Sequence, residues 1–344
     1  MTTTASDLDI IDRKICNVLQ ASFPMTERPY QAIATQVGVS ADEVLRRVQD
    51  LKRKHVVRQI GAIFDTRKLG YRSCLVAVKF PPERLAAGAA VINGHPGVSH
   101  NYARNHEFNL WFTIAVPPGE DLRETVDGLA KKADALSARV LPTIRFYKIG
   151  VNFDLVDEKP ASVEGIIGKI PAISNEGARP LTNFDIKVIR ELQEDLPVEP
   201  EPFRAMADRL GVTQQQLFAY AKKLEEEGFM RRYSAVLHHR RAGFRFNAMA
   251  VWKVPPERGM EVGKTMGAFP EVSHCYERPI YPDWPYSHFT MLHATTKEGC
   301  EDAARRISEK TGVMDYAMLY STVEFKKVRV RYFDDDAEAG AARA

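Results

Sequence analysis

The segment Pro96-Gly97-Val98-Ser99-His100-Asn101-Tyr102-Ala103-Arg104 decides how this chain is organised, because it returns in the second half. The second copy is Pro270-Glu271-Val272-Ser273-His274-Cys275-Tyr276-Glu277-Arg278, and both copies keep the order Ser-His-x-Tyr-x-Arg. The flanks repeat in the same order, so that Gly70-Tyr71-Arg72 corresponds to Gly243-Phe244-Arg245. A repeat of this length indicates two homologous halves fused head to tail, not a solenoid.

Length and composition agree with two folded halves. The chain has 344 residues, of which 44% are hydrophobic, and a net charge of +3 that is too small to argue for nucleic acid by itself. The polar first nine residues contain no apolar core segment, which predicts a cytoplasmic protein without a signal or membrane span. The cysteines lack Cys-x-x-Cys spacing, so we expect reduced thiols at Cys16, Cys74, Cys275 and Cys300.

Each half begins with a helical block. In the first half Ile11, Ile15 and Val18 form an apolar helical stripe, and Gly38-Val39-Ser40 predicts a turn with Ser40 as the N-cap of the next helix. Three short helices with such a turn are typical of a helix-turn-helix. The second half repeats the block over 183–227, with Gly211-Val212-Thr213 at the turn.

After each helical block the pattern changes to strands with helical crossovers. In the first half we expect strands at 56–64, 72–80, 98–104, 108–116 and 140–149, with helices at 83–93 and 122–136. In the second half we expect strands at 246–254, 272–278, 287–294 and 314–330, with helices at 262–268 and 297–310. This order is the βαββαβ pattern of a ferredoxin-like sandwich.

The predicted fold class is therefore α+β, a tandem duplication of a winged helix-turn-helix followed by a ferredoxin-like βαββαβ domain. This order resembles the Lrp/AsnC family of regulators, whose sandwich domains pair through their sheets. The resemblance implies an intramolecular pseudo-dimer and allows further homo-oligomerisation. The predicted domains are helix-turn-helix domains at 1–62 and 181–236, ferredoxin-like domains at 63–156 and 237–333, a linker at 157–180 rich in proline and glycine, and a disordered tail at 334–344.

The repeated motif predicts a row of polar side chains on each of two strands. Alternation of period two places one residue in two on the same face, and a polar row suits the sheet face that helices leave uncovered. A row that only fixes strand register at an interface is the structural alternative. Its conservation between two diverged halves favours a functional site. The predicted rows are Val98, His100, Tyr102 and Arg104, and Val272, His274, Tyr276 and Arg278.

The hairpins that follow the two rows differ. The first contains His106, an ordinary hairpin residue by default, which beside His100 and Arg104 becomes a candidate proton donor or iron ligand. The second carries a longer proline-rich and aromatic insert with Trp284 and Tyr286. These rings are candidates either for packing or for the walls of a site for a flat ligand. No role is assigned to His238, His239, His288 and His293.

These motifs resemble the siroheme decarboxylase family more sharply than the fold resembles regulators. The resemblance rests on Val98 to Arg104 with Asn109-Leu110-Trp111-Phe112-Thr113, and on Val272 to Pro279 with Tyr281-Pro282-Asp283-Trp284-Pro285-Tyr286. Gly61-Ala62-Ile63-Phe64-Asp65, the segment from Tyr147 to Leu155 and the segment from Phe325 to Phe333 extend it. Because the family occurs as two subunits or as fused chains, this chain resembles a fused form.

The resemblance implies removal of the C12 and C18 acetate carboxyl groups of siroheme as carbon dioxide. The product, 12,18-didecarboxysiroheme, would serve heme d1 or the alternative heme pathway. No cofactor is implied, and no metal beyond the iron of the substrate. Arginine forks suit a substrate with many carboxylates, and histidine suits proton delivery near neutral pH. The catalytic candidates are His100, His106 and His274, oriented by Tyr102 and Tyr276; the substrate-binding candidates are Arg104, Arg278, Trp111, Trp284, Tyr286, Lys148 and Lys326.

Two other functions fit parts of the sequence. A DNA-binding regulator would use the basic residues on or near the first reading helix, whereas the corresponding second helix ends in Glu225-Glu226-Glu227 and would repel a duplex. We therefore expect no specific DNA binding. A non-catalytic heme-sensing module would share the pocket but release no carbon dioxide. The basic residues concerned are Arg46, Arg47, Lys52, Arg53 and Lys54.

Overall fold

The computed structural model describes residues 8–149, 179–237 and 246–334, together with short strands at 152–154, 159–161 and 168–169. Most of the predicted linker, the tail from residue 335, His238 and His239 lie outside the described residues. The chain divides into two compact units. The helical unit comprises residues 1–69, 151–162 and 176–245, and the sheet unit comprises residues 70–150, 163–175 and 246–344.

The first half has the predicted order of elements, which we label along the chain. The elements are α1 (Ile10–Ala21), α2 (Pro29–Val37), α3 (Ala41–Arg53), β1 (Val57–Phe64), β2 (Arg72–Lys79), α4 (Leu85–Asn93), β3 (Val98–Arg104), β4 (Leu110–Val116), α5 (Leu122–Lys132), β5 (Ser137–Leu141) and β6 (Arg145–Ile149). Short strands β7 (Asn152–Asp154), β8 (Lys159–Ala161) and β9 (Gly168–Lys169) follow, two of them within the predicted linker.

The second half repeats this order. Its elements are α6 (Asn183–Leu192), α7 (Arg204–Leu210), α8 (Gln214–Glu226), β10 (Met230–Leu237), β11 (Phe246–Trp252), α9 (Gly259–Gly267), β12 (Val272–Glu277), β13 (His288–Ala294), α10 (Lys297–Thr311), β14 (Tyr316–Leu319) and β15 (Ser321–Lys327).

In the helical unit each half forms the predicted three helices. Ser40 caps α3 by accepting from the Glu43 amide at 3.2 Å, which confirms the predicted N-cap. Gly38 and Gly211 end the preceding helices with φ of +83° and +68°, a conformation that favours glycine. Strand β1 pairs antiparallel with β10 of the other half. Residues 56–64 therefore form a ribbon of the helical unit rather than the first strand of the sandwich, and β1 runs across the predicted boundary at 62/63.

In the sheet unit each βαββαβ module exchanges its last strand with the other. One sheet has the order β15-β3-β4-β2-β5, and the other has β14-β11-β13-β12-β6-β9. The single strands predicted at 140–149 and 314–330 are therefore wrong, because each is two strands that belong to different sheets. The first break begins at Pro142, which has no amide hydrogen for a ladder. At the second break the amide of Tyr320 donates to the side chain of Asn105 instead.

Three apolar clusters hold the sheet unit together. In each module the helices cover one sheet face, with Phe112 and Ile114 buried in the first module and Trp252 and Leu292 buried in the second. The third cluster, the seam core, contains buried residues of both halves. Its buried members are Ala77, Phe108, Trp111, Leu141, Met249, Val251, Trp284, Phe289 and Leu319. The faces that helices leave uncovered thus meet each other, as expected for an intramolecular pseudo-dimer.

The helices of the part of the chain described above are too short or too polar to cross a membrane. The cysteines Cys16, Cys74, Cys275 and Cys300 are buried and do not pair with one another.

Candidate functional site

The first polar row lies on β3, at the edge where β15 of the other half joins the sheet. The rings of His100 and Tyr102 are 6.3 Å apart, and the Arg104 guanidinium lies 5.9 Å from the centre of the Tyr102 ring. Alternation therefore places these three residues together, as predicted.

Val98 does not belong to this row. A bulge between Val98 and His100 shifts the register with β4, and Val98 is fully buried in the helix-covered cluster. The same bulge turns the Ser99 hydroxyl towards His100 Nδ1, 3.1 Å away, and Thr113 Oγ1, 2.8 Å away. The predicted faces of Val98 and Ser99 are therefore wrong, since simple alternation does not hold across a bulge.

The second row lies on β12 with the same geometry, and β6 of the other half joins its edge. The rings of His274 and Tyr276 are 5.9 Å apart, and the Arg278 guanidinium is 5.0 Å from the Tyr276 ring centre. Here too a bulge places Val272 in the helix-covered core, which corrects its predicted position. The Ser273 hydroxyl again lies beside the histidine, 2.9 Å from His274 Nδ1.

The two arginines are buried cations that form no ion pair with the described residues. Arg104 Nη1 donates to the carbonyl of Leu319 at 2.9 Å, and Arg278 Nη1 donates to the carbonyl of Leu141. Both Nε atoms are buried without a hydrogen-bond partner, and in the described ranges neither guanidinium pairs with a carboxylate. Burial lowers the pKa of each arginine to about 10, against a smaller opposite effect of the adjacent tyrosine. An unpaired buried charge is unfavourable, so each site is suited to an incoming carboxylate.

The exchanged strands make the two rows unequal. On β15, Glu324 lies directly opposite Tyr102, and Lys327 lies opposite His100. The corresponding residue opposite Tyr276 is Phe146 of β6. The tyrosine of the first row therefore lies opposite a charged residue, and the tyrosine of the second row lies opposite an aromatic one.

A cavity of about 640 Å³ opens beside Arg278 in the second module. Its lining includes Pro279 and Pro285 of the proline-rich insert, together with Glu277 and His288. Glu277 Oε2 accepts from Tyr147 at 2.8 Å and from Arg145 at 3.1 Å. The second row thus has space for a ligand at its arginine end.

His106 contacts the seam core. Its ring lies 5.3 Å from the Trp284 ring and 6.3 Å from the Phe108 ring, and its Nδ1 accepts from the Phe108 amide. Burial lowers the pKa of His106, partly opposed by the charge of Glu107. His106 is therefore brought to the insert of the other half, and its described ring contacts are with aromatic side chains.

The predicted aromatic walls are packing residues in this structure. Trp111 and Trp284 are 1% and 0% exposed, and their rings are 5.1 Å apart. The Trp111 indole donates to the carbonyl of Phe108 at 2.6 Å. Tyr286 is half-buried, with its ring 5.1 Å from that of Trp284. The two tryptophans offer no open ring face to a ligand, because both rings are enclosed in the seam core.

Lys148 and Lys326 lie away from the rows. Lys148 is paired with Cys275 on β12, and its Nζ donates to the carbonyl of Phe269 just after α9. Lys326 is paired with Asn101 on β3, and its Nζ donates to the carbonyl of Asn93 at the end of α4. Burial lowers the pKa of both lysines. Both lysines cap the C-terminal ends of helices on the opposite face of the sheet. They therefore do not lie with the arginines, contrary to the prediction.

The partners of the two serines are a feature that the sequence interpretation missed. Ser99 bonds Thr113, whereas Ser273 bonds His293 Nε2 at 2.7 Å. Alignment of β4 with β13 shows that His293 replaces Ala115. This difference indicates a contact with Ser273 only when the bulge is known to turn Ser273 towards His293.

Comparisons with known proteins agree with both the fold and the site. Residues 12–58 and 185–231 match the family model described as the siroheme decarboxylase NirDL-like HTH domain, and residues 68–148 and 241–326 match the AsnC-like ligand binding domain. These matches define a tandem helix-turn-helix protein with AsnC-like domains and confirm the predicted fold class.

Similar full-length proteins are siroheme decarboxylases. The siroheme decarboxylase of Hydrogenobacter thermophilus is 38% identical over 94% of this chain and 96% of its own length. The crystal structure of the siroheme decarboxylase NirDL has a TM-score of 0.75 and 33% identity, covering 97% of both chains. The beta subunit of the Methanosarcina barkeri enzyme is 48% identical over 43% of this chain and 97% of its own length.

The chain therefore belongs to the siroheme decarboxylase family. Members of the family are decarboxylating enzymes, which confirms the prediction of an enzyme in preference to a regulator or a heme sensor. Single subunits in the family match about half of this chain, as expected if the two halves replace two subunits.

Proposed function

We propose that this chain removes the C12 and C18 acetate carboxyl groups of siroheme, giving 12,18-didecarboxysiroheme. The observation that carries the proposal is the row of histidine, tyrosine and arginine that occurs twice in the sheet unit, each time with a buried guanidinium that pairs with no carboxylate of the described residues. A relative of similar fold, with 33% identity, was solved in co-complex with an iron-uroporphyrin III analogue. A substrate of that class brings the carboxylates that these arginines lack.

The arginines bind and orient the substrate. Each of them already donates one N–H to a backbone carbonyl, which fixes the guanidinium, and has a buried Nε–H without an acceptor among the described residues. A carboxylate entering such a site replaces its lost hydration with charge-assisted hydrogen bonds. Arg278 in addition borders the cavity of about 640 Å³, which supplies room for the ring or one of its side chains.

The histidines supply the proton. When the bond between the acetate methylene and its carboxyl group breaks, carbon dioxide leaves and the electron pair remains on the methylene carbon. A proton from an imidazole converts that carbon to a methyl group, and the imidazole regains a proton from solvent. His100 and His274 are suited because a serine contacts Nδ1 of each ring and so orients the ring for proton transfer at Nε2. His106 is a further candidate in the first half.

The reaction needs no cofactor beyond the iron of its substrate, because the loss of carbon dioxide and the gain of a proton balance without a change in oxidation state. Free, buried cysteines support the proposed cytoplasmic location.

The test is anaerobic incubation of the whole chain with siroheme, followed by measurement of product mass and of released carbon dioxide. We expect loss of two carboxyl groups. Siroheme that binds but keeps its mass would contradict the proposal and leave a binding module. Loss of only one carboxyl group, even after long incubation, would contradict the assignment of both acetates.

A further inference from the structure

The second half contains a pair of imidazoles on one serine, which the first half lacks. Ser273 Oγ lies 2.9 Å from His274 Nδ1 and 2.7 Å from His293 Nε2. In the first half Ser99 has the hydroxyl of Thr113 in place of the second imidazole, at 2.8 Å. The position of Thr113, opposite the row histidine on the neighbouring strand, is taken by Met291 in the second half.

The protons on this pair can be counted. A serine hydroxyl has one proton, so Ser273 donates to one imidazole and accepts from the other. If Ser273 donates to His293, then His274 carries a proton on Nδ1 and donates it to Ser273. If Ser273 donates to His274, the remaining proton of neutral His274 lies on Nε2. The carbonyl of Met291, 3.3 Å from Ser273 Oγ, is a longer and weaker alternative acceptor.

The chemistry of proton delivery selects between these arrangements. A histidine that gives and regains a proton at Nε2 must keep its other proton on Nδ1 throughout, and Nδ1–H then needs an acceptor. His293 meets this need if it stays neutral and accepts at Nε2. Burial, and to a smaller extent the charge of His274, lower the pKa of His293 to about 4, so it is neutral near pH 7.

We propose that His293 is a positioning residue that accepts from Ser273, so that Ser273 accepts from His274 Nδ1–H and the exchangeable proton of His274 lies on Nε2. The inference rests on the proposed function, since it takes His274 as a residue that acts on the substrate. In the reaction, His274 passes from imidazolium to the neutral Nδ1–H form as the methylene carbon becomes a methyl group. His293 and Ser273 end the step with the protons they had before.

The first experiment measures the tautomer directly, without turnover. In protein labelled with ¹⁵N-histidine, neutral His274 should show a protonated Nδ1 and an unprotonated Nε2, with its signals identified by their loss in His274→Ala. In His293→Ala we expect the population to shift towards the Nε2–H form. A wild-type His274 with its neutral proton on Nε2, or a spectrum unchanged in His293→Ala, would overturn the proposal.

The second experiment measures siroheme turnover. We expect His293→Ala to slow at least one decarboxylation step about tenfold or more, by analogy with the loss of the partner that orients a metal-binding histidine. Adding Met291→Thr gives Ser273 the hydroxyl partner that Ser99 has in the first half, and should restore most of the rate. A folded double variant that stays as slow as His293→Ala would overturn the proposal. His55→Asn, an exposed position in the helical unit, is the matched control.

The two levels of failure are distinguishable. If His274→Ala keeps full rates of both steps, the proposed function of His274 is wrong, while the ¹⁵N spectrum still decides the direction of the hydrogen bonds. If His274→Ala is slow and His293→Ala is not, the positioning role of His293 is wrong and the proposed function stands.

Discussion

Arg104 and Arg278 make equivalent hydrogen bonds, because each donates to a backbone carbonyl of the other half. Arg104 donates to the carbonyl of Leu319 at the end of β14, and Arg278 donates to the carbonyl of Leu141 at the end of β5. Each row of one half is thus completed by backbone of the other half. A single half with this sequence would lack both the acceptor for its arginine and the strand beside its row.

The arginine forks give the first prediction. Arg104→Lys and Arg278→Lys keep the charge but lose the planar donor pair, so we expect siroheme turnover or affinity to fall about tenfold or more in at least one variant. Arg305→Lys is the control, because Arg305 is an exposed residue whose partners Asp302 and Glu309 lie on its own helix. If both site variants behave as wild type, neither arginine binds a substrate carboxylate.

The second prediction concerns the stability of the ligand-free protein. Arg278→Met removes a buried charge that has no carboxylate partner in the described part of the chain, so we expect the free energy of unfolding to stay the same or rise while activity is lost. Arg179 is the contrast, since it pairs with Asp185, which is 0% exposed, at 2.6 Å. Arg179→Met leaves the buried carboxylate of Asp185 without its cation and should lower the free energy of unfolding by about 3 kcal/mol. Denaturant titrations measure both, and a comparable loss in Arg278→Met would mean that its charge is stabilising.

The exchanged strands give the third prediction. Because β6 and β15 each complete the sheet of the other half, we expect separately expressed halves, cut within 157–180, to associate and recover activity when mixed. Mixing experiments with size-exclusion chromatography and the siroheme assay measure this. Halves that are stable alone and have no affinity for each other would contradict the pairing.

The recognition helices of the two helix-turn-helix domains give the fourth prediction. On α3, Arg47 is held by Asp9, Asp12 and Glu43 at 2.7–2.8 Å, and Lys52 is held by Asp195 at 2.8 Å. Phosphate contacts would have to break these pairs, so we expect no sequence-specific duplex binding at physiological salt. A gel shift that is site-specific and resists salt at nanomolar protein would show the opposite.

The candidate catalytic histidines give the fifth prediction. We expect His100→Ala or His106→Ala to impair one decarboxylation step, and His274→Ala to impair binding or the other step, because histidine suits proton transfer near neutral pH. If the steps are separable, monodecarboxylated siroheme should accumulate, which mass measurement of the products detects. Full rates to the doubly decarboxylated product in every single variant would make these histidines structural and direct attention to Tyr102, Tyr276 and bound water.

Sequence periodicity predicted the elements correctly where a local pattern is sufficient. The apolar stripe of α1 and the Ser40 cap depend on residues a few positions apart, and the repeat itself reveals the duplication. Alternation also placed His100, Tyr102 and Arg104 together. It failed at Val98 and Val272, because a bulge inserts one residue and reverses the faces on its far side.

The sequence by itself determined that the chain is a duplicated α+β protein with two polar rows, and its motifs identified the family. Only the tertiary structure decided that the last strands are exchanged, that Trp111 and Trp284 fill the seam core, and that Lys148 and Lys326 cap helices. The physical reason is that strand partners and burial depend on residues more than a hundred positions away, as with Ser321 beside Arg104. Local propensity carries no information about such pairings, whereas packing of the whole chain selects them.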